Sequence, residues 1–277
     1  MNDILDKVIK IAVGAGDVVL EEYNRKDFNN FKSKKDGSPL TEADKKSSNF
    51  IVQELKKINN EIPIITEELQ IPSWEKRKKY TKYWLVDPLD GTKEFLKRNG
   101  EFTVNIALIE NQEPIIGVVN LPVKKIVYFA LKGAGAYKRN YNINEFMDNK
   151  LNVSNQKDKS NIKIVGSRSH TYPLMEKFLK EFSFKTEFIS VGSSLKFCII
   201  AEGNADIYPR FGPTSEWDTA AAQIVLFEAG GHVMNLENFD ILKYNTKESC
   251  LNPFFLAITS SKKIKNECER VIKKIIN

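Results

Sequence analysis

Five acidic residues stand at the ends of apolar segments, where carboxylates from separate parts of a chain can meet to bind a cation. Glu67 and Glu68 close the run IPIIT, Asp87 and Asp90 follow YWLV, and Asp218 opens DTAAAQIVLFEAGG. Taken singly, each fits a strand end, a turn or a helix start. If they converge they need a cation, because an unpaired buried charge is very costly. Mg²⁺ prefers such oxygen ligands, so the set predicts a magnesium site.

The stretch DPLDGT offers more than its two carboxylates. In a turn, Asp87 and Asp90 can point to the same side, which leaves the Leu89 carbonyl available as a neutral ligand. Gly91 and Thr92 lead into a predicted short helix, whose free N–H groups suit a phosphate. This pattern predicts metal-assisted hydrolysis of a phosphate ester, in which cations acidify the attacking water and stabilise the leaving oxygen.

Helix and strand patterns predict the elements that must bring these residues together. Residues 3–23 carry an apolar stripe at helical spacing, and Thr41 followed by Asp44 fits a capping box before a second helix. Five strand-like runs follow, mostly separated by short turns, which predicts antiparallel pairing. They are IPIIT, YWLVD, TVNIALIE, PIIGVVNLP and IVYFAL. Strand and helix patterns then alternate to the end, which is typical of an α/β layer.

The polar region 140–161 separates these two patterns and predicts a domain boundary. We predict an N-terminal α+β domain, 1–155, that carries most metal ligands. A C-terminal α/β domain, 156–277, would carry Asp218 and the residues that select the substrate.

Composition excludes several classes of protein. The chain has 277 residues, of which 42% are apolar and 28% charged, as in ordinary soluble domains. Its net charge of +6 comes from scattered lysines, which suit an anionic substrate but form no nucleic-acid arm. Two histidines and three separated cysteines indicate neither a zinc centre nor a disulfide framework. With no signal-peptide pattern and no long apolar run, we predict a cytoplasmic protein.

Two segments resemble the signatures of a known superfamily. WLVDPLDGTKEF and WDTAAAQIVLFEAGG resemble those of the inositol monophosphatase superfamily of Mg²⁺-dependent, lithium-sensitive phosphatases. GSSLKFCIIAEGNADIYPRFGPT and ESCLNPFFLA further resemble its bacterial 3'(2'),5'-bisphosphate nucleotidases. The resemblance covers nearly the whole chain and implies a layered α-β-α-β-α sandwich. It also implies removal of the 3'-phosphate of adenosine 3',5'-bisphosphate in sulfate assimilation, with 3'-phosphoadenylyl sulfate as a further candidate substrate.

The resemblance implies two or three Mg²⁺ ions and the residues that hold them. Glu67, Asp87 and the Leu89 carbonyl resemble the ligands of the metal that activates water. Asp87, Asp90 and Asp218 resemble the ligands of a second metal beside the leaving oxygen. Four of these ligands also resemble residues that contact the substrate, namely Glu67, Leu89, Asp90 and Asp218.

The resemblance assigns further roles around the scissile phosphate. Gly91 and Thr92 resemble phosphate contacts. Asp44 resembles the aspartate that hydrogen-bonds the Thr92 hydroxyl and, with Glu67, orients the attacking water. The capping role of Asp44 stands beside this one, and both could hold.

Substrate selection is expected from the second half of the chain. His170, Ser193, Lys196 and Arg210 resemble the residues that contact a nucleotide and its 5'-phosphate. A second phosphate needs cationic or N–H partners that an inositol phosphate does not require. The alternative interpretations are a surface lysine at Lys196 and a loop histidine at His170.

Two rival functions remain at this point. One is an inositol monophosphatase, against which GSSLK and Arg210 argue. The other is a non-catalytic nucleotide sensor on the same scaffold, against which the intact set of acidic residues argues. The sequence determines neither the oligomeric state nor whether the protein associates peripherally with the inner face of the cell membrane.

Overall fold

The computed structural model describes residues 3–25, 32–33, 39–142, 147–154, 161–167 and 173–276. Within these ranges the helices are α1 (Asp3–Tyr23), α2 (Glu42–Ile58), α3 (Trp74–Arg77), α4 (Thr92–Leu96), α5 (Pro173–Glu181), α6 (Leu195–Ala201), α7 (Ala220–Glu228) and α8 (Lys262–Ile276). Short 3₁₀ turns cover Pro122–Lys124 and Glu216–Asp218. None of the helices described in these ranges is long and apolar enough to cross a bilayer.

The strands form two main sheets and one small pair. The first-half strands are β1 (Lys32–Ser33), β2 (Pro39–Leu40), β3 (Ile64–Thr66), β4 (Lys82–Asp90), β5 (Thr103–Glu110), β6 (Glu113–Leu121), β7 (Ile126–Leu131), β8 (Gly135–Asn140) and β9 (Asp148–Lys150). Those of the second half are β10 (Asn161–Gly166), β11 (Lys185–Ser190), β12 (Ile207–Arg210), β13 (His232–Asn235) and β14 (Phe255–Ile258). A seven-stranded sheet runs from β3 to β9 in chain order, a five-stranded sheet has the order β11-β10-β12-β14-β13, and β1 pairs with β2.

Five layers stack in the order helix, sheet, helix, sheet, helix. Helices α1 and α2 share one buried cluster with the outer face of the seven-stranded sheet. Helices α6 and α7 lie between the two sheets in a second cluster, and α5 and α8 cover the outer face of the five-stranded sheet. This is the predicted α-β-α-β-α sandwich.

Strand β4 shows why an unbroken apolar run becomes a strand here. Successive side chains point to opposite faces of a sheet. Tyr83 and Leu85 accordingly join the cluster between the sheets, while Trp84 and Val86 join the cluster under α1 and α2. Because both faces are covered, the strand needs no polar alternation. It reaches its carboxyl end at Asp87–Asp90, where the apolar run stops.

The strand pairing departs from the prediction at one edge. Strands β4 to β9 pair antiparallel, as predicted for those that the sequence revealed, but β3 runs parallel to β4. A crossover of 67–81, which contains α3, links β3 to β4 and lets the chain return in the same direction. The predicted boundary at 155–156 falls outside the described residues, so the division into two domains stays a prediction.

Candidate active site

A sharp turn at the end of β4 presents the DPLDGT residues to a pocket. Asp87 is buried, and its Oδ1 accepts a hydrogen bond from the Leu89 N–H at 3.0 Å. Gly91 has φ +90°, a left-handed conformation that favours glycine. A Cβ at this position would also lie 3.3 Å from the Glu101 carbonyl oxygen and from the Ser193 Cβ. Glycine is therefore favoured both by the turn and by the close approach of Glu101 and Ser193.

The pocket, of about 360 Å³, brings together most of the predicted site residues. Those that line it are Glu67, Asp87, Leu89, Asp90, Gly91, Thr92, Ser193, Lys196, Arg210 and Asp218. The Leu89 side chain is buried in the cluster under α1 and α2, so its backbone meets the pocket. Asp44 lies outside the lining, and His170 lies outside the described residues.

The carboxylates converge closely enough to change each other's proton affinity. Burial raises the pKa of Asp87 well above its usual range, and the charges of Glu67, Asp90 and Asp218 raise it further. Burial likewise raises the pKa of Asp218, and the charges of Asp90 and Glu67 add to the effect. Three segments distant in sequence thus deliver negative charge to one place, as predicted.

The donor set fits a hard divalent cation in its chemistry. It consists of carboxylate oxygens with a backbone carbonyl, which Mg²⁺ prefers, and a cation would relieve the mutual repulsion described above. Across the part of the chain that the structure describes, no three His, Cys, Asp or Glu side chains stand in a ready metal-binding arrangement.

Asp90 is held by residues from both halves of the chain. Its Oδ2 accepts a hydrogen bond from the Ser194 backbone N–H at 2.5 Å and a longer one from Asn105 Nδ2 at 3.4 Å. Burial raises the pKa of Asp90, and the positive charge of Lys196 opposes that rise more than any other group. Neither Ser194 nor Asn105 was predicted to belong to the site. The polar Asn105 inside the apolar strand TVNIALIE is the signal that could have found it.

Asp218 is fixed by a capping box in the turn before α7. The Ser215 backbone N–H donates to Asp218 Oδ2 at 2.9 Å. The Asn252 side chain crosses from a distant loop and donates to the Ser215 carbonyl at 2.7 Å and to Thr219 Oγ1 at 3.1 Å. Tyr244 donates its hydroxyl toward the same Thr219 oxygen, also at 3.1 Å. The backbone on both sides of Asp218 is thereby tied to buried polar groups.

Asp44 has the predicted capping role. Its Oδ2 accepts hydrogen bonds from the Thr41 backbone N–H and hydroxyl at 2.8 and 2.5 Å, which confirms the capping box. One turn further along α2, the Ser47 hydroxyl donates to the Pro88 carbonyl at 2.8 Å and anchors the helix to DPLDGT. The Thr92 hydroxyl donates to the Leu89 carbonyl at 3.4 Å. The predicted bond between Asp44 and Thr92 stays a prediction.

Cations and hydroxyls also line this pocket. Lys196 is buried, and its Nζ donates to the Ser193 carbonyl at 2.6 Å and lies 5.2 Å from the centre of the Tyr208 ring. Arg210, at the end of β12, donates to the Pro213 carbonyl at 2.9 Å. Ser167, Ser194, Thr214 and Tyr208 also line the pocket, although the sequence did not single them out. The pocket therefore pairs an acidic group with a basic one.

The family of this chain follows from comparison with known proteins. The sequence model of the inositol monophosphatase family matches residues 1–258, which include every acidic residue of the pocket. The chain belongs to the inositol monophosphatase family. This confirms the resemblance drawn from WLVDPLDGTKEF and WDTAAAQIVLFEAGG.

Within the inositol monophosphatase family, two relatives are similar along most of their length. The 3'(2'),5'-bisphosphate nucleotidase CysQ of Escherichia coli (strain K12) is 43% identical over 252 residues, which are 91% of this chain and 98% of that one. The protein of that name from Haemophilus influenzae is 33% identical over 257 residues, which are 92% of each chain.

Solved structures of the family confirm the fold. The crystal structure of CysQ from Bacteroides thetaiotaomicron, described as a bacterial member of the inositol monophosphatase family, superposes with a TM-score of 0.80 at 39% identity. The alignment covers 93% of this chain and 97% of that one. The Thermotoga maritima inositol monophosphatase, at 24% identity and a TM-score of 0.78, shares the fold over 99% of this chain and 98% of its own.

Proposed function

We propose that this chain is a Mg²⁺-dependent 3'(2'),5'-bisphosphate nucleotidase that converts adenosine 3',5'-bisphosphate to AMP and phosphate. The observation that carries the proposal is the pairing of acidic and basic groups in one pocket. A monophosphate needs only the acidic, metal-binding part, whereas a second phosphate needs cationic partners such as Lys196 and Arg210. The identity to the CysQ nucleotidases supports the same substrate.

The metal-binding role falls to the acidic part of the pocket. Glu67, Asp87, Asp90 and Asp218, with the Leu89 carbonyl, would hold two or three Mg²⁺ ions. When bound, Mg²⁺ supplies Lewis acidity toward water and phosphate. The protein contributes a fixed set of oxygen donors, because the turn at Gly91 and the capping box at Asp218 leave the ligand backbones little freedom.

The residues beside the metal ligands orient the reacting groups. Gly91 and Thr92 would contact the scissile phosphate through backbone N–H groups and the Thr92 hydroxyl. Glu67 and Thr92, with Asp44 behind them, would orient a water for in-line attack on the 3'-phosphorus. The water oxygen forms the new bond to phosphorus and gives up a proton, the bond to the 3'-oxygen breaks, and that oxygen takes up a proton to become the 3'-hydroxyl of AMP. No covalent enzyme intermediate forms.

The basic part of the pocket would bind the 5'-phosphate and the nucleoside. Lys196 and Arg210 would pair with the phosphate charge, and Ser193 would donate a hydrogen bond. His170 completes the set that the resemblance implies. We further propose 3'-phosphoadenylyl sulfate as a second substrate, a role in sulfate assimilation and a place in the cytoplasm. The net charge of +6 would favour peripheral association with the inner face of the cell membrane.

The test is phosphate release from three candidate substrates. We expect Mg²⁺-dependent turnover of adenosine 3',5'-bisphosphate, slower turnover of inositol 1-phosphate and inhibition by added Li⁺. The comparison with 3'-phosphoadenylyl sulfate tests the second substrate. Far faster turnover of the inositol ester would show that the chain is an inositol monophosphatase instead.

A metal-ligand variant separates an enzyme from a nucleotide sensor. Asp87→Asn should abolish phosphate release and leave the far-UV circular dichroism spectrum unchanged, because the substitution preserves shape and removes charge. A wild-type protein that binds the nucleotide but releases no phosphate in Mg²⁺ would support the sensor.

A further inference from the structure

Ser194 connects an acidic residue of the pocket to the segment that carries Lys196. It lies directly after Ser193 and two residues before Lys196, in the segment proposed to bind the second phosphate. Its backbone N–H donates to Asp90 Oδ2 at 2.5 Å, so the same residue also holds a proposed metal ligand. Its side chain is 2% exposed and points away from solvent into the protein.

The Ser194 hydroxyl has partners on strand β5. It donates to Asn105 Oδ1 at 2.8 Å and lies 2.9 Å from Thr103 Oγ1. A serine hydroxyl has a single hydrogen, so Thr103 is the donor in the second contact. Both strand residues are fully buried, with exposures of 0 and 1%.

These bonds close a ring of three residues. Ser194 donates to Asn105 Oδ1, which turns Asn105 Nδ2 toward Asp90, and Nδ2 approaches Asp90 Oδ2 at 3.4 Å. The Ser194 backbone N–H completes the ring at that same oxygen. Both hydrogen bonds fall on Oδ2, so Oδ1 takes part in neither of them, and Asp90 itself lines the pocket.

We propose that Ser194 is a positioning residue that fixes the Asp90 carboxylate for metal binding and ties it to the segment that receives the second phosphate. The inference rests on the proposed function and goes beyond the residues that the family signatures single out. Groups that orient metal ligands through hydrogen bonds commonly change metal affinity ten- to a hundredfold when they are removed.

Substitution of Ser194 by alanine would break the ring at its hydroxyl. The Asn105 amide would lose the contact that fixes its orientation, and it could turn its oxygen toward the Asp90 carboxylate. Asp90 would then keep the backbone N–H but lose its defined orientation. The expected effect is a weaker metal site in a protein that still carries every metal ligand.

The adjacent serines provide a matched pair for the test. Mg²⁺ binding is measured by isothermal titration calorimetry on the full chain without nucleotide, for wild type, Ser194→Ala and Ser193→Ala. We expect Ser194→Ala to bind Mg²⁺ at least about tenfold more weakly than the wild type. Ser193→Ala should bind Mg²⁺ within about twofold of the wild type, because Ser193 has no part in the ring. Ser193→Ala should instead raise KM for the bisphosphate.

Asn105→Ala provides a second variant should Ser194→Ala fail to fold. Because both substitutions open the same ring, the Ser194→Ala/Asn105→Ala double variant should bind Mg²⁺ no more weakly than the weaker single variant. Wild-type Mg²⁺ affinity in Ser194→Ala or Asn105→Ala, or additive losses in the double variant, would overturn the proposal. If the wild type itself neither binds Mg²⁺ nor releases phosphate, the proposed function has failed instead.

Discussion

Lys196 carries its charge in surroundings that disfavour it. The side chain is buried, and burial lowers the pKa of Lys196 to about 8, although the nearby Asp90 carboxylate opposes this shift. The Arg210 charge lowers the pKa further. An ordinary lysine keeps its proton to about pH 10.4. The cation proposed to bind the second phosphate is therefore lost at a much lower pH than its residue type suggests.

The pH dependence of kcat/KM should show the loss of the Lys196 charge. As pH rises through about 8 the free enzyme loses the ammonium charge, so kcat/KM for the bisphosphate should fall by up to about ten- to a hundredfold, as expected for loss of a charged hydrogen bond. Lys196→Gln should show the low value at all pH values and no limb near 8. The measurement is phosphate release at subsaturating substrate from pH 6.5 to 9.5, since kcat/KM reports the free enzyme.

The sequence predicts the convergence of Asp87, Asp90 and Asp218, because carboxylates that are buried at the ends of elements need a shared cation. The structure brings all three into one pocket, and their role as metal ligands stays a prediction. Ser194 and Asn105 could not be predicted, because their roles depend on which hydroxyl meets which amide across two distant segments. The contact between Ser194 and Asn105 depends on the folded structure. In the sequence, the only sign of it is the polar Asn105 inside an apolar strand.

At the scale of elements, the last helix is tied to its neighbour through Glu267. Helix α8 packs on α5, and Glu267 Oε1 accepts a hydrogen bond from the Ser183 backbone N–H at 2.8 Å. Arg270 bonds both Glu267 oxygens at 2.7 and 2.8 Å and donates to the Glu181 carbonyl at 2.8 Å. The hydrogen bond from Arg270 lowers the pKa of Glu267 most, and the bond from Ser183 lowers it further, to about 2.

This carboxylate predicts an acid-sensitive contribution to stability. Because its pKa in the fold lies below its unfolded value, its stabilisation is complete above pH 4.5 and is lost as pH falls from 4.5 toward 2. Half of the Arg270 side chain is exposed, so solvent screening reduces the effect to about 0.2–1 kcal/mol. Glu267→Gln should lower the free energy of unfolding by that amount at pH 7, and the deficit should shrink at pH 3.5. Urea unfolding at both pH values is the measurement, and a constant deficit would contradict the argument.

Elements with a long periodic pattern were predictable, whereas two short edge strands, β9 and β13, were not. The apolar stripe at 3–23 gives α1 with the bounds Asp3–Tyr23, because a helix that packs on a sheet must bury one face. Strands β9 and β13, of three and four residues, carry too few side chains to show alternation. The parallel pairing of β3 depends on the crossover that follows it, which strand propensity does not reveal.

At the scale of the whole molecule, the two halves share one core. The cluster between the sheets contains residues from both halves, and α7 lies so close to β6 that a Cβ at Gly117 would meet the Ala221 carbonyl oxygen at 2.3 Å. The active-site pocket draws its residues from both halves as well. Neither half could keep its apolar contacts if the other unfolded.

We therefore expect one cooperative unfolding transition. Trp84 lies buried in β4 and Trp217 lies 8% exposed just before α7, so each reports on one half. Trp74→Phe/Trp217→Phe retains Trp84 alone, and Trp74→Phe/Trp84→Phe retains Trp217 alone. In each variant, fluorescence and far-UV circular dichroism should give the same urea midpoint, because a shared core makes partial unfolding costly. If the Trp217 signal changed at a different urea concentration from the circular dichroism, the C-terminal half would be an independent unit and the shared core would not couple the two.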